Sequence, residues 1–165
     1  MYPLNLNQNN MKNVWIVMII MAAFLHACQM NQKEMKTNPF FEKYGTPFEV
    51  PAFDKILNEH YLPAFQAGMA EQKEEIEAII NNQDEPSFQN TIAAFDQSGL
   101  LLAKVSNVFY NLTSAKTSDS LQAIAKEVAP MLSQHRDDIR LNEKLFERVK
   151  AVYEKRENLD LTVEE

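Results

Sequence analysis

Leu100-Leu101-Leu102-Ala103-Lys104-Val105-Ser106-Asn107-Val108-Phe109-Tyr110-Asn111-Leu112-Thr113 decides the fold. Leu102, Ser106, Phe109 and Thr113 recur at spacings of three and four. The same period continues backwards through Gly99, Phe95, Ile92 and Phe88 to a capping serine, Ser87. Such a period marks one face of a helix. Leu100, Leu101, Val105, Val108 and Leu112 form a second apolar stripe. A helix apolar on two sides is buried on two sides, so this segment expects a neighbour on each. Gly99 falls inside the pattern, where glycine costs about 1 kcal/mol against alanine. The expectation is one long helix with Gly99 allowing close approach of a neighbour.

The flanking segments read the same way. An earlier helix runs from about Asn58 to Asn81, with Pro63 in its first turns, where a missing amide does least harm. Leu62, Phe65, Met69, Ile76, Ile79 and Ile80 supply its buried stripe, and Glu71, Glu74, Glu75 and Glu77 its solvated side. Residues 81–86 form a loop. A third helix begins at Ser118 or Asp119 and carries Leu121, Ile124, Val128, Met131 and Leu132, with Pro130 expected to kink or interrupt it. Asn142 caps a fourth, with Leu145, Phe146, Val149 and Val152 turned inward. Three glycines are too few for a sheet-rich fold with many tight turns. The fold class is all-α, antiparallel helices preceded by an extended segment rich in proline and aromatic residues. In that segment Phe40, Phe41, Tyr44, Phe48 and Phe53 would be costly to leave in water, so it is expected to pack across the helices.

The chain starts differently. Val14 to Ala27 is apolar except for His26, follows Lys12 and precedes Cys28. At about 1.5 Å per residue it spans about 21 Å, short of a hydrocarbon core of roughly 30 Å. A charged start, a short apolar run and a small residue before the processing point read as a signal peptide. Leu25-His26-Ala27-Cys28 resembles a bacterial lipobox, with His26 where a small or apolar residue is usual. That resemblance implies lipidation of Cys28 and attachment to the membrane through its acyl chains. The division expected is a signal peptide over 1–27, with a true start possible at Met11, a lipid-anchored linker over 28–37 and a helical domain over 38–165. Cys28 is the only cysteine, so the exported chain has no disulfide and depends on its core. Of the charged residues only Lys12 precedes Cys28, so the exported part is more acidic than the whole chain, whose net charge is −7. That argues against nucleic acid as a partner and against direct binding to anionic lipid. The cell envelope is the expected location.

Candidate chemistry is sparse. None of His26, His60 and His135 is followed by glutamate, so HExxH is absent. His60 reads as a packing or capping residue. His135, beside Arg136, Asp137 and Asp138, reads as a solvated helix end. The glutamates of the first helix read as a solvated face, the phenylalanines as core, and Asn111-Leu112-Thr113 as an incidental sequon. No catalytic residue and no metal ligand is assigned; Cys28 is the one modification site.

Thr46-Pro47-Phe48-Glu49-Val50-Pro51-Ala52-Phe53-Asp54-Lys55-Ile56 and Glu59-His60-Tyr61-Leu62-Pro63-Ala64-Phe65-Gln66-Ala67-Gly68-Met69 resemble the N-terminal region of bacterial dipeptidyl carboxypeptidases. These are zinc metallopeptidases of the thimet oligopeptidase family. Ser87-Phe88-Gln89-Asn90-Thr91-Ile92, Val105-Ser106-Asn107-Val108-Phe109-Tyr110-Asn111-Leu112, Ile124-Ala125-Lys126-Glu127-Val128-Ala129-Pro130 and Leu141-Asn142-Glu143-Lys144-Leu145-Phe146 fit the same pattern. The resemblance implies a mostly helical fold and a channel, one wall of which these helices form. It implies release of C-terminal dipeptides from oligopeptides by a zinc ion held by HExxH and a distant glutamate. With HExxH absent, the chain has no zinc site of its own and is expected to be inactive alone, its partner being a missing C-terminal catalytic portion. The stretch 160–165, with Thr162 as N-cap and Glu165 three residues on, reads as the start of a helix left unfinished. The alternative is a standalone helical lipoprotein that binds peptides or a partner without catalysis. A third possibility is a product without function.

Overall fold

The computed structural model describes residues 38–159 and Thr162. The chain divides into two units, Met1–Asn38 and Pro39–Glu165, and every described helix belongs to the second. The expected signal peptide, the expected linker with Cys28 and, apart from Thr162, the expected helix start at 160–165 lie outside the described residues.

Among the described residues the fold has four long helices: α1 (Tyr61–Ile80), α2 (Leu100–Ala115), α3 (Asp119–Arg140) and α4 (Glu143–Glu154). No strand occurs among the described residues, so the all-α reading holds. α1 lies against α2, α3 and α4. Tyr61 at the start of α1 meets Phe109 late in α2, ring centroids 5.0 Å apart. Gly68 meets Leu102, and Gln72 hydrogen-bonds Ser98. The partners run in opposite directions, so α1 and α2 are antiparallel.

The expected long helix from Phe88 to Thr113 is broken. A π-helical turn, Phe88–Ala93, runs into a single α turn, Ala94–Asp96. The chain then turns through Gln97 to Gly99 before α2. Gly99 has φ +74°, a left-handed conformation that glycine adopts without the Cβ penalty. Its N–H donates to Glu75 Oε2 at 2.7 Å, which ties the break to α1. The close-packing role expected of Gly99 belongs to Gly68: a Cβ there would lie 2.8 Å from the Leu102 Cα, so α1 and α2 touch backbone to backbone. Nor does Pro130 interrupt α3, which is continuous through it. Pro130 and Lys126 are exposed, so water can replace the amide that the Lys126 carbonyl loses.

The caps stand where the sequence puts them. Ser87 Oγ accepts from the Asn90 N–H, and Asn90 Oδ1 accepts from the Ser87 N–H, a reciprocal box. Ser118 Oγ accepts from the Leu121 N–H and Asn142 Oδ1 from the Leu145 N–H. The first helix opens with a 3-10 turn, Asn58–His60, rather than α-helix.

The main core joins Phe40, Tyr61, Ala64, Phe65, Val105, Val108, Phe109, Leu121 and Val128. A smaller cluster joins Ile76 and Ile79 of α1 to Leu145 of α4. The segment before α1 packs only in part. Phe40 is buried, and Lys104 Nζ donates to the Phe40 and Glu42 carbonyls at 2.9 and 2.7 Å, with its ammonium over the Tyr44 ring. Phe48 is 100% exposed and Phe53 52%, contrary to the expectation that the whole segment packs. Phe48 and Glu49 both hold positive φ, 58° and 54°, which turns the Phe48 ring away from the helices. Phe146, expected inward, is 60% exposed, because Leu145 and Val152 take the buried face of α4.

Candidate functional site

The antiparallel contact of α1 and α2, with α3 laid beside them, leaves a groove of about 330 Å³. Leu102 and Ser106 come from α2; Leu132, His135 and Ile139, spaced three and four apart, come from α3. That spacing stacks them on one side of the helix. Arg136 and Arg140, one turn apart, stand at the groove's edge and are exposed, and Gln72 closes it from α1.

Gln72 is the hinge-pin of this region. Its Oε1 lies 2.8 Å from His135 Nε2, and its Nε2 donates to Ser98 Oγ at 3.3 Å. A carbonyl oxygen only accepts, so His135 carries its proton on Nε2. Ser98 Oγ in turn donates to the Phe95 carbonyl. One amide therefore connects α1, α3 and the break before α2. Burial lowers the pKa of His135 below the ordinary histidine value of 6.5, and the Asp138 carboxylate opposes the shift in part. The ring is thus neutral near pH 7. The expectation of a solvated helix end is corrected: α3 continues past His135 to Arg140, and the ring is half-buried.

His60 does cap. Its Nδ1 accepts from the Leu57 N–H at 3.0 Å, fixing the chain's entry into α1. Glu71, Glu74 and Glu77 are exposed as expected, whereas half-buried Glu75 holds Gly99. Asn111 donates to the Asn107 carbonyl within α2. Among the described residues no three His, Cys, Asp or Glu side chains are gathered to hold a metal. Cys28 and His26 lie outside the described residues.

Sequence reasoning missed Arg136, Arg140, Gln72 and the polar side of Ser106. The signal was present: Arg136 and Arg140 share the four-residue period that links Leu132 to Arg136. Two further polar groups sit in the core itself. The Tyr44 and Tyr61 hydroxyls are buried without a hydrogen-bond partner among the described residues. Burial raises both pKa values, and Tyr44 is raised further by Tyr61.

No family model matches the chain. Over 127 residues, 77% of the chain, it is 45% identical to the dipeptidyl carboxypeptidase of Escherichia coli. Over the same length it is 42% identical to the dipeptidyl carboxypeptidase of Salmonella typhimurium. Oligopeptidase A of Escherichia coli is 27% identical over 110 residues, 67% of the chain. The chain spans 19% of the length of the two carboxypeptidases and 16% of the oligopeptidase.

Proposed function

We propose, from the homology of this chain to the dipeptidyl carboxypeptidases, that it is the N-terminal helical part of a zinc peptidyl-dipeptidase that releases C-terminal dipeptides from oligopeptides. The identity of 45% over 127 residues carries the reading. Helices α1 to α4 would form part of the wall of a peptide channel. The zinc implied does not fit the residues of this chain. No histidine is followed by glutamate, and no three potential ligands are gathered among the described residues. A catalytic zinc site takes three protein ligands. In this reading the metal is held by the remainder of the longer protein, and the chain alone is inactive. Acylated Cys28 would tether the protein at the cell envelope.

The test is complementation. The chain is mixed with the portion of the Escherichia coli dipeptidyl carboxypeptidase that lies outside the matched stretch, and dipeptide release from a blocked tetrapeptide is followed with zinc present. No turnover by either piece and turnover by the mixture is the expected result. Turnover by the chain alone would sink the reading, and a mixture as inert as its parts would count against it. Incorporation of labelled palmitate, abolished by Cys28→Ser, checks the tether.

A second reading, a helical lipoprotein that binds peptides without catalysis, is favoured by the groove between α1, α2 and α3. Peptide binding by the chain with no gain of activity on complementation would select it.

A further inference from the structure

Apolar exposure is concentrated between Phe48 and Leu57. Of the ten large apolar side chains exposed among the described residues, four fall there: Phe48, Val50, Phe53 and Leu57. The segment is not slack chain. Tyr44 and Ile56, on either side, pack against the main core, and Ala52 between them is buried. The small residue is thus inside while its large neighbour Phe53 stays in water, the reverse of what burial favours. The turn is also wired in place. Thr46 Oγ1 donates to the Val50 carbonyl, and the Glu49 N–H donates to the Thr46 carbonyl at 3.1 Å. Within it Phe48 and Glu49 hold consecutive left-handed conformations, which residues other than glycine adopt only at a steric cost. That strain holds the Phe48 ring wholly in water, where the domain by itself gains nothing from it.

We infer that the segment from Phe48 to Leu57 is a docking surface for the remainder of the longer peptidase, with Phe48 and Phe53 as its anchors. Aromatic side chains already held in position anchor protein–protein contacts by filling pockets on the partner. A lipid surface fits less well. Glu49 and Asp54 are exposed among the apolar side chains, and their carboxylates would have to leave water with them. The socket that fits is apolar, with cationic groups at its rim to meet those carboxylates. The identity of the partner rests on the peptidase reading. The matched stretch is 19% of the length of the two carboxypeptidases, which leaves most of their chain to carry such a socket.

The test compares the full chain with a chimera, the Escherichia coli dipeptidyl carboxypeptidase in which the matched stretch is replaced by the corresponding residues of this chain. Hydroxyl-radical footprinting reads the accessibility of each ring. In the chain alone Phe48 and Phe53 should be oxidised readily at every protein concentration, and buried Phe65 hardly at all. In the chimera Phe48 and Phe53 should lose most of their reactivity and approach that of Phe65. Phe48→Ser with Phe53→Ser should leave the melt of the chain unchanged and lower the thermal midpoint of the chimera by several degrees. If the double variant does not fold, the footprint, which needs no substitution, decides alone. An active chimera in which both rings stay as reactive as in the chain, or whose double variant melts like its parent, would overturn the inference and leave the peptidase reading standing. A chimera that neither folds nor turns over substrate would sink both. Protection of the two rings in the chain alone as its concentration rises would assign the surface to a second copy, and protection by phosphatidylcholine vesicles would assign it to lipid. Either would overturn the inference.

Discussion

Toward its start α1 is held by rings, and toward its end by hydrogen bonds beside a smaller apolar cluster. Tyr61 and Phe65 meet Phe109 edge to face at 5.0 and 5.4 Å, and Phe40 closes on Tyr61 at 5.5 Å. All four side chains are buried. Beyond Gly68 the partners change. Gln72 reaches His135 and Ser98, and Glu75 reaches Gly99. Arg148 of α4 donates to the Asn82 carbonyl and to Asn90 Oδ1, bridging both sides of the loop after α1. Rings fill space closely, so the first half of α1 serves mainly as core. Polar bridges hold elements apart at fixed distances, and the groove lies among them. A dense core fixes the fold; the hydrogen-bonded half has room for a ligand.

Truncation should expose the contrast most sharply. Phe109→Ala removes the ring that both Tyr61 and Phe65 touch and should cost about 3–5 kcal/mol in urea unfolding. Gln72→Ala removes bridges rather than core and should cost less, about 1–3 kcal/mol. Equal losses at the two sites would erase the distinction. The glycines sharpen it next. Gly68→Ala forces a Cβ against the α2 backbone at 2.8 Å and should cost about 1–3 kcal/mol, because the helices must part. Gly99→Ala meets the Gln72 amide, which must shift and loosen its bonds to Ser98 and His135, so that loss adds to the left-handed backbone cost of about 1–2 kcal/mol. A Gly68→Ala melt unchanged from that of the parent chain would mean that α1 and α2 do not meet backbone to backbone.

Two expected effects are smaller. Asn142→Ala removes the cap of α4 and should cost about 1 kcal/mol, read from a thermal melt. His135 makes the hydrogen-bonded half pH-sensitive. Its folded pKa lies below the unfolded value of 6.5, so above that pH the ring is neutral in both states and stability is undiminished. As pH falls below 6.5 the unfolded chain takes up the proton first, and stability declines until pH passes below the folded value. His135→Gln should flatten the stability profile between pH 7 and the region where carboxylates begin to titrate. A profile identical to that of the parent chain would show that the ring is not buried.

The ring-packed half was the legible one. Apolar stripes at spacings of three and four placed Phe65, Val105 and Phe109 in the core, and Ser87, Ser118 and Asn142 declared their helices by residue type. The break at Gly99 was not legible, because the apolar period runs on through Phe95, Gly99 and Leu102 as though the helix were whole. What holds the break is a hydrogen bond from the Gly99 N–H to Glu75, remote in sequence and without a local signature. His135 was misread for a related reason: its neighbours Arg136, Asp137 and Asp138 are solvated, and only the position of Gln72 on α1 makes that one side chain face inward. Phe146 and Phe48 show the limit of hydrophobicity as a guide, since large apolar side chains are exposed when the buried face is already occupied.

α1 also has a temporal meaning. Each of the other three long helices rests on it, so none can detach fully while its neighbours keep all their contacts. Opening events that free its amides must dismantle most of the domain, whereas the end of α4 can fray at little expense. In an exchange experiment the protons of residues 64–76 would therefore be the slowest to leave, a clock set by the whole assembly rather than by the helix that carries them.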